Sequence, residues 1–248
     1  MNSPKAAFLS VLGRSDTPQR ETLRQARARA KPAGRRQELR PRLVLASASP
    51  RRLMLLSQVG VNPDALRPSS IDETPKRAEM PRSLVTRLAR AKAEAARDLI
   101  ANDKDIAEAY VLAADTVVAS GRNIFGKPKS VEDALATLQK LSGRSHRVYT
   151  GLCLITPDDR VRLKVIDTRV RFKRLTKDEM QSYLASREWR GKAGGYAIQG
   201  LAGCFVQKLV GSYTNVVGLP LTEVVGMLVA EGFPIHFNWL KAGEAEPD

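Results

Sequence analysis

The spacing of apolar residues along the chain predicts alternating strands and helices. Apolar positions three and four residues apart, which are typical of an amphipathic helix, occur at residues 50–59, 81–100, 131–141 and 221–230. Apolar runs typical of strands occur at residues 44–45, 110–114, 116–119, 147–156, 162–174 and 204–210. Because the two kinds of segment alternate, we expect an α/β protein with a mixed sheet.

Capping and turn residues support several of these boundaries. Pro50 suits the first turn of a helix, and Thr176 with Glu179 forms the capping-box pattern of a further helix. Residues 121–122 can turn a hairpin, and Gly232 is a typical helix stop. No internal repeat and no low-complexity linker interrupts the body of the chain. We therefore expect two lobes that share one sheet, rather than two independent domains.

Positive charge is concentrated at the start of the chain. The 248 residues carry a formal net charge of +15, and residues 1–42 hold 11 lysines and arginines against 3 acidic residues. This segment lacks the apolar spacing with which a helix packs on a core, so we expect residues 1–41 to be a basic, disordered extension of a single domain at residues 42–240. A mitochondrial presequence would also be Arg-rich and acid-poor, and a basic tail could bind nucleic acid or an acidic partner.

Composition narrows the class of protein. The chain has 43% hydrophobic and 27% charged residues, and no apolar run approaches the length of about 20 residues that a membrane-spanning helix needs. We therefore expect a soluble, cytoplasmic protein. Cys153 and Cys204 lie in apolar, strand-like segments and predict buried free thiols, while His146 and His236 have no further ligands at zinc spacing. Glycine-rich dinucleotide-binding and Walker A sequences are absent.

The segment Leu43-Val-Leu-Ala-Ser-Ala-Ser-Pro-Arg-Arg52 is suited to hold a phosphate group. A short apolar strand leads through a hydroxyl-rich turn into a helix that begins near Pro50, and the free N–H groups at a helix start attract anions. Ser47 adds a hydroxyl donor, and Arg51 or Arg52 adds a guanidinium that can bind two phosphate oxygens. The same local pattern also occurs where a strand, a turn and a capped helix bind no ligand.

Two acidic positions are candidates for chemistry. Asp115 follows the apolar residues 111–114, and a carboxylate at a strand end can bind a hard divalent cation, activate water or cap the turn at Thr116. Glu73 is a second carboxylate at a predicted strand end, with Asp72 as its rival. A solvated turn explains either one equally well, so the residues alone leave these alternatives open.

Lysines and glycine-rich loops complete the candidate cleft. Lys92 lies in a predicted helix, and Lys127 stands between a glycine and a proline that could aim its ammonium group. The glycine-rich loops are at residues 192–200 and 211–220. In the first loop, Tyr196 and Gln199 could stack on or pair with a base. Both loops and the strand-turn-helix segment could line one cleft.

Five ordered motifs resemble those of the Maf family and together span residues 43–233. They are Leu45-Ala-Ser-Ala-Ser-Pro-Arg-Arg52, Ala114-Asp-Thr-Val-Val118, Gly126-Lys-Pro128, Ala193-Gly-Gly-Tyr-Ala-Ile-Gln-Gly200 and Gly211-Ser-Tyr-Thr-Asn-Val-Val-Gly-Leu-Pro220. The resemblance implies a nucleoside triphosphate pyrophosphatase that cleaves between the α and β phosphates with a divalent cation, Mg²⁺ or Mn²⁺. It also implies a mixed α/β fold in two lobes that flank a cleft, similar to that of the inosine triphosphate pyrophosphatases, and a homodimer.

The same resemblance implies roles for individual residues. Asp115 matches the family's proposed proton acceptor, and Glu73 with Asp115 matches its metal-side carboxylates. The positions that match phosphate-binding residues are Ser47, Arg51, Arg52, Lys92 and Lys127. The positions associated with base selection are Arg51, Thr116 and Gln199.

Two of the motifs bear on substrate choice. Asp115 followed by Thr116, and the loop sequence Tyr196-Ala-Ile-Gln-Gly200, resemble the dTTP/UTP-cleaving branch of the family rather than its 7-methyl-GTP branch. The loop has Gly-Gly-Tyr-Ala where many dTTP/UTP members have Gly-Ala-Tyr-Gly, so a broader or altered base preference stays open. The family is also linked to septum formation and division arrest, which keeps a non-catalytic binding protein as the alternative.

Overall fold

A computed structural model describes residues 40–235 of the chain. In this range the strands are β1 (Leu43–Leu45), β2 (Ala65–Leu66), β3 (Tyr110–Ser120), β4 (Asn123–Phe125), β5 (Ser145–Ile155), β6 (Val161–Phe172) and β7 (Val206–Val210). The helices are α1 (Pro50–Gln58), α2 (Pro81–Ile100), α3 (Val131–Leu141), α4 (Lys177–Ala185), α5 (Tyr213–Val217) and α6 (Leu221–Ala230). Nearly all of the expected basic extension, and also His236, lie outside the described residues.

The seven strands of the described range form one mixed sheet. Its order is β2-β1-β3-β5-β6-β7, with β4 paired to β3 beside this path. β1 runs parallel to β2 and β3, whereas β3, β5, β6 and β7 are antiparallel neighbours. β3 therefore joins the parallel and antiparallel halves of the sheet. The expected mixed α/β architecture is confirmed.

Helix α2 packs close to the sheet because its inner face is made of small residues. The core cluster between them includes Ala89, Ala93 and Ala96 of the helix and Val111, Ala113 and Cys153 of the strands. A Cβ atom built on Gly151 of β5 would lie 2.2 Å from the carbonyl oxygen of Val85 in α2. Only a residue without a side chain permits this approach, which brings the middle of α2 against the middle of β3.

The opposite face of the sheet carries larger side chains. Alternate residues of a strand point to opposite faces, so the neighbours of Val111 and Ala113 in β3 face away from α2. The cluster on this side includes Leu43, Leu112, Leu152 and Phe172 from strands and Leu138 and Leu228 from helices. The sheet therefore lies between two apolar layers of different thickness, and the thin layer is the one beneath α2.

Several predicted elements are confirmed in detail. Helices α2, α3 and α6 have the bounds that the apolar spacing predicts. The hydroxyl of Thr176 accepts a hydrogen bond from the Glu179 backbone N–H at 3.2 Å, and the Glu179 carboxylate accepts one from the Thr176 N–H at 2.9 Å, which confirms the capping box. None of the described helices is both long enough and apolar enough to cross a membrane.

Two predicted positions of carboxylates are wrong. β3 continues without interruption from Tyr110 to Ser120, so Asp115 lies in the middle of a strand and not at its end. The Asp115 carboxylate interrupts the apolar pattern but not the strand, because Asp115 pairs with Gly151 of β5 and the pairing continues on both sides of it. Glu73 lies in the loop before α2, outside any strand.

The prediction for the cysteines is half right. Cys153 is buried, as expected. Cys204 is exposed, because the stretch Leu201–Phe205 forms a 3₁₀ turn and the predicted strand begins only at Val206. The loop predicted at residues 211–220 contains the short helix α5, which its apolar spacing did not reveal.

Candidate active site

The residues singled out from the sequence lie around one cleft with a volume of about 450 Å³. Its walls come from the turn between β1 and α1, the middle of β3, the loop after α4 and the end of α5. All of the candidate residues line it, namely Ser47, Arg51, Arg52, Glu73, Lys92, Asp115, Thr116, Lys127 and Gln199. Asp72, the rival of Glu73, is exposed and bonds the Thr74 backbone N–H at 2.9 Å. The geometry favours Glu73.

Asp115 places a carboxylate at the base of the cleft. Its side chain is only 10% exposed, and an unpaired charge at such a position is costly. Lys92, which reaches it from the middle of α2, offsets this cost with an ammonium group 2.5 Å from Oδ1. Among residues 40–235, every hydrogen bond to this carboxylate goes to Oδ1. Oδ2 therefore stays available to a ligand or to water.

Glu73 shares the same lysine. Its Oε1 lies 2.6 Å from the Lys92 ammonium group, and its Oε2 accepts a hydrogen bond from Lys127 at 3.0 Å. Partial burial by itself would raise the pKa of Glu73, but the hydrogen bonds from Lys92 and Lys127 outweigh it and lower the pKa to about 2. Glu73 is therefore an anion throughout the neutral pH range.

Arg52 joins three segments of the cleft. Its Nε donates to the carbonyl oxygen of Gly218 at 2.8 Å, and its two terminal nitrogens donate to Ser47 Oγ at 3.0 Å and Thr116 Oγ1 at 3.2 Å. Burial lowers the pKa of Arg52, and the nearby Asp115 carboxylate partly restores it. The guanidinium thus fixes the turn after β1, the middle of β3 and the end of α5 relative to one another.

Arg51 has a different environment. Within the described part of the chain its guanidinium makes no hydrogen bond and no ion pair, and burial lowers its pKa. Lys192 lies close by. Burial is the main cause that lowers the pKa of Lys192, and the charge of Arg51 lowers it further. Glu188 offsets the effect on Lys192 only in part, so the two cations repel each other, and a bound polyanion would relieve this repulsion.

The sequence-based list of site residues missed Arg190 and Lys192, which also line the cleft. Both flank Gly191 at the start of the glycine-rich loop, and basic residues beside such a loop are the signal that could have identified them. With these two, the lining holds six cationic side chains against the carboxylates of Glu73 and Asp115. The cleft is therefore suited to a ligand with several negative charges.

Tyr196 does not offer the open ring that its place in the loop suggests. It is buried, its hydroxyl lies 2.8 Å from His146 Nε2, and its ring packs edge-to-face on Phe172 with 4.9 Å between centroids. Tyr196 therefore forms a fixed wall of the cleft. Gln199 is exposed and lines the cleft.

The buried His146 makes stability depend on pH. Burial lowers its pKa from 6.5 to about 4. The unfolded chain therefore takes up a proton as the pH falls below 6.5, whereas the folded chain does so only near pH 4, so folding stability is lost across this window. The loss attributable to His146 is about 3 kcal/mol. Urea unfolding between pH 4 and 7.5 should show a shallower loss in His146→Gln, and parallel curves for the two proteins would contradict the prediction.

The donor set of the cleft can be compared with the needs of a divalent cation. Glu73 and Asp115 supply carboxylate oxygens, the ligand type that Mg²⁺ prefers. Between residues 40 and 235, no group of three or more His, Cys, Asp or Glu side chains could hold a metal by itself. A cation here would take its other ligands from water and from a bound phosphate, which is typical of Mg²⁺. The residues fit a cation that shares its ligands with a bound phosphate group.

Comparison with known proteins gives long, close matches. The chain is 61% identical over 203 residues to a dTTP/UTP pyrophosphatase of Rhodopseudomonas palustris (strain BisB5), which covers 82% of this chain and 98% of that protein. It is 59% identical over 203 residues to a dTTP/UTP pyrophosphatase of Bradyrhizobium diazoefficiens, with 82% and 97% covered.

Similarity to a solved structure is weaker. The Ham1 protein of Staphylococcus aureus is 17% identical with a TM-score of 0.37, and the match covers 53% of this chain and 71% of that one. The model of the Maf-like protein family, by contrast, matches residues 42–231. Because that match takes in the whole sheet and every residue of the candidate cleft, the chain belongs to the Maf-like protein family.

Proposed function

We propose that the protein hydrolyses nucleoside triphosphates between the α and β phosphates, with dTTP and UTP as preferred substrates. The observation that carries this proposal is the Asp115 carboxylate at the base of a cleft lined by six cationic side chains. A triphosphate has the charge that such a cleft favours. The names of the close relatives support the choice of dTTP and UTP.

The proposed chemistry begins with a water molecule at Asp115. Oδ2 of Asp115 accepts a proton from this water, whose oxygen attacks the α phosphorus. The bond from the α phosphorus to the oxygen bridging to the β phosphate breaks, so the products are a nucleoside monophosphate and pyrophosphate. A base positioned in this way typically contributes about 10²–10⁴-fold to a rate.

The cationic side chains stabilise the charge that builds up during this reaction. Arg51 is the best placed to bind phosphate oxygens directly, because it has no partner among the described residues. Arg52 has its donors engaged with Ser47 and Thr116, so we assign it to holding the site together and to electrostatic stabilisation. Lys127 is 56% exposed and can turn from Glu73 towards a phosphate.

We assign Glu73 and Asp115 to the side of the cleft that holds a divalent cation, Mg²⁺ or Mn²⁺. When bound, such a cation neutralises phosphate charge and stabilises the pyrophosphate leaving group. Both carboxylates line the cleft, and in the free protein each of them contacts the Lys92 ammonium group. The remaining ligands would come from water and phosphate oxygens.

Base selection is assigned to Arg51, Thr116 and Gln199. The exposed Gln199 amide has both a donor and an acceptor, as needed to pair with the carbonyl and N–H groups of uracil or thymine. Thr116 Oγ1 is held by Thr150 Oγ1 at 2.9 Å and by Arg52, so its position is fixed. A fixed hydroxyl discriminates between bases better than a rotating one.

Pyrophosphate release from separate solutions of dTTP, UTP, CTP, GTP and 7-methyl-GTP tests the function. With Mg²⁺ or Mn²⁺ present, we expect turnover of dTTP and UTP to exceed that of the other three, with equimolar monophosphate as the second product. Preferred turnover of 7-methyl-GTP would move the protein to the other branch of the family. No turnover of any of the five would contradict the proposal and favour a binding protein.

Some expectations from the sequence stay predictions. They are a single catalytic domain at residues 42–240, a homodimer, a cytoplasmic location and a weak affinity of the basic extension for nucleic acid. Removal of residues 1–40 separates the last of these from catalysis, because the candidate cleft lies entirely within residues 46–218.

A further inference from the structure

Lys92 occupies an unusual position in the cleft, between the two carboxylates assigned to the cation. Its ammonium group lies 2.6 Å from Glu73 Oε1 and 2.5 Å from Asp115 Oδ1. The side chain is only 12% exposed and comes from the middle of α2, whose approach to the sheet is fixed by the contact between Gly151 and Val85. The ammonium group therefore occupies the space between the two carboxylates that would hold a cation.

A divalent cation and this ammonium group compete for the same lone pairs. A cation that entered the cleft without a nucleotide would have to remove Lys92 from two charge-assisted hydrogen bonds and leave its charge in a largely buried, cationic surrounding. Lys127 imposes no such barrier, because in the described part of the chain it pairs only with Glu73 and is 56% exposed, so its ammonium group can move into water. Among residues 40–235, Lys92 alone contacts both carboxylates.

A bound triphosphate changes this balance. It brings several anionic oxygens into the cleft, and the Lys92 ammonium group can exchange its carboxylate partners for phosphate oxygens without losing charge-assisted hydrogen bonds. The carboxylates are then left without their counter-cation, and a divalent cation becomes the partner that restores neutrality. Nucleotide and cation should therefore each strengthen the binding of the other.

We propose that Lys92 is an internal counter-cation that keeps the Glu73 and Asp115 carboxylates closed to divalent cations until a triphosphate draws its ammonium group away. This inference rests on the proposed function, since it uses the same cleft. It adds the order in which the two ligands bind, with the triphosphate before the divalent cation. Lys92 acts as a positioning residue for the cation-side carboxylates. If the contacts of Lys92 had a purely structural role, they would not weaken cation binding, and they would not couple the binding of the cation to that of the nucleotide.

Binding of Mn²⁺ without any nucleotide, measured by electron paramagnetic resonance of the free ion, tests the proposal. We expect Lys92→Met to bind Mn²⁺ about tenfold or more tightly than the unaltered protein, because the two carboxylates lose their counter-cation. Lys127→Met is the matched control and should change the affinity by no more than about twofold, since within residues 40–235 Lys127 pairs with Glu73 and not with Asp115. An affinity of Lys92→Met equal to or weaker than that of the unaltered protein would overturn the proposal.

A second measurement examines the coupling itself. With an α,β-imido analogue of dUTP, which resists cleavage at this bond, the unaltered protein should bind Mn²⁺ about tenfold or more tightly than without it. In Lys92→Met this gain should be much smaller, because the barrier is already absent. An equal gain in both proteins would show that Lys92 does not link the two ligands.

Two further variants locate the ion and guard against misfolding. Adding Glu73→Gln or Asp115→Asn to Lys92→Met should abolish the gain in Mn²⁺ affinity, and a gain that persists would place the ion elsewhere and overturn the proposal. If thermal unfolding shows that Lys92→Met is not folded, Lys92→Gln serves in its place. The measurement without nucleotide needs no turnover, so a failure of the proposed reaction and a failure of the role of Lys92 would give different results.

Discussion

Replacing Asp115 by asparagine should lower kcat for dTTP by about 10²–10⁴-fold, with little change in KM. An asparagine amide has nearly the shape of the carboxylate but cannot accept the proton of the attacking water. The phosphate-binding cations are unaltered, so substrate binding should persist. Initial rates of pyrophosphate release over a range of dTTP concentrations separate the two constants.

The fold should survive this change. In the variant, Lys92 keeps its contact with Glu73 at 2.6 Å, so its ammonium group does not become unpaired. Asp167→Asn is a matched control, because Asp167 is also a strand carboxylate paired with basic side chains, Arg82 and Arg147, yet lies outside the cleft. The control should keep full turnover. Turnover by Asp115→Asn at the unaltered rate would show that another group accepts the proton.

Replacing Gly151 by alanine should destabilise the protein and impair the site together. The new Cβ would lie 2.2 Å from the carbonyl oxygen and 2.6 Å from the carbonyl carbon of Val85, and both atoms belong to the backbone of α2. Since β5 is held between β3 and β6, the helix has to move. Overpacking of this kind costs about 1–3 kcal/mol in free energy of unfolding. Urea denaturation measures this loss.

The same displacement of α2 should also lower catalytic activity. Gly151 pairs with Asp115 across β5 and β3, and α2 carries Lys92, so a displaced helix changes the contact between Lys92 and Asp115. We therefore expect kcat to fall even in conditions where the variant is fully folded. Gly226→Ala is the control, because a Cβ at this exposed position in α6 meets no atom within 4 Å. It should stabilise the protein by roughly 0.5–1 kcal/mol. Equal stability of Gly151→Ala and the unaltered protein would mean that α2 does not approach β5 so closely.

Much of the fold could be predicted from local sequence. Helices α2, α3 and α6 have the predicted bounds because the spacing of their apolar residues and the residues at their ends act over one or two helical turns. The capping box of Thr176 and Glu179 is local in the same sense. The predictions that failed concern segments whose structure depends on distant partners, such as the exposed Cys204 and the short helix α5.

The members of the candidate cleft were also largely predictable, because the motifs that carry the family resemblance contain most of them. The contacts among these members were not. Arg52 bonds the carbonyl oxygen of Gly218, 166 positions further along the chain, and no spacing in the sequence predicts that pair. Arg190 and Lys192 lie in the same cleft for the same kind of reason, since the loop after α4 folds back over β3.

Local sequence was enough to predict the α/β class, the bounds of α2, α3 and α6, and the residue types that the cleft would contain. Tertiary structure alone decided that Asp115 lies inside a strand, that Glu73 rather than Asp72 faces it, and that Lys92 stands between the two carboxylates. The physical reason is that the periodicity of apolar residues specifies which face of a helix or strand is buried. It does not specify which buried faces pack against one another. Here α2 and the sheet meet at Gly151, and they can approach so closely because glycine has no side chain.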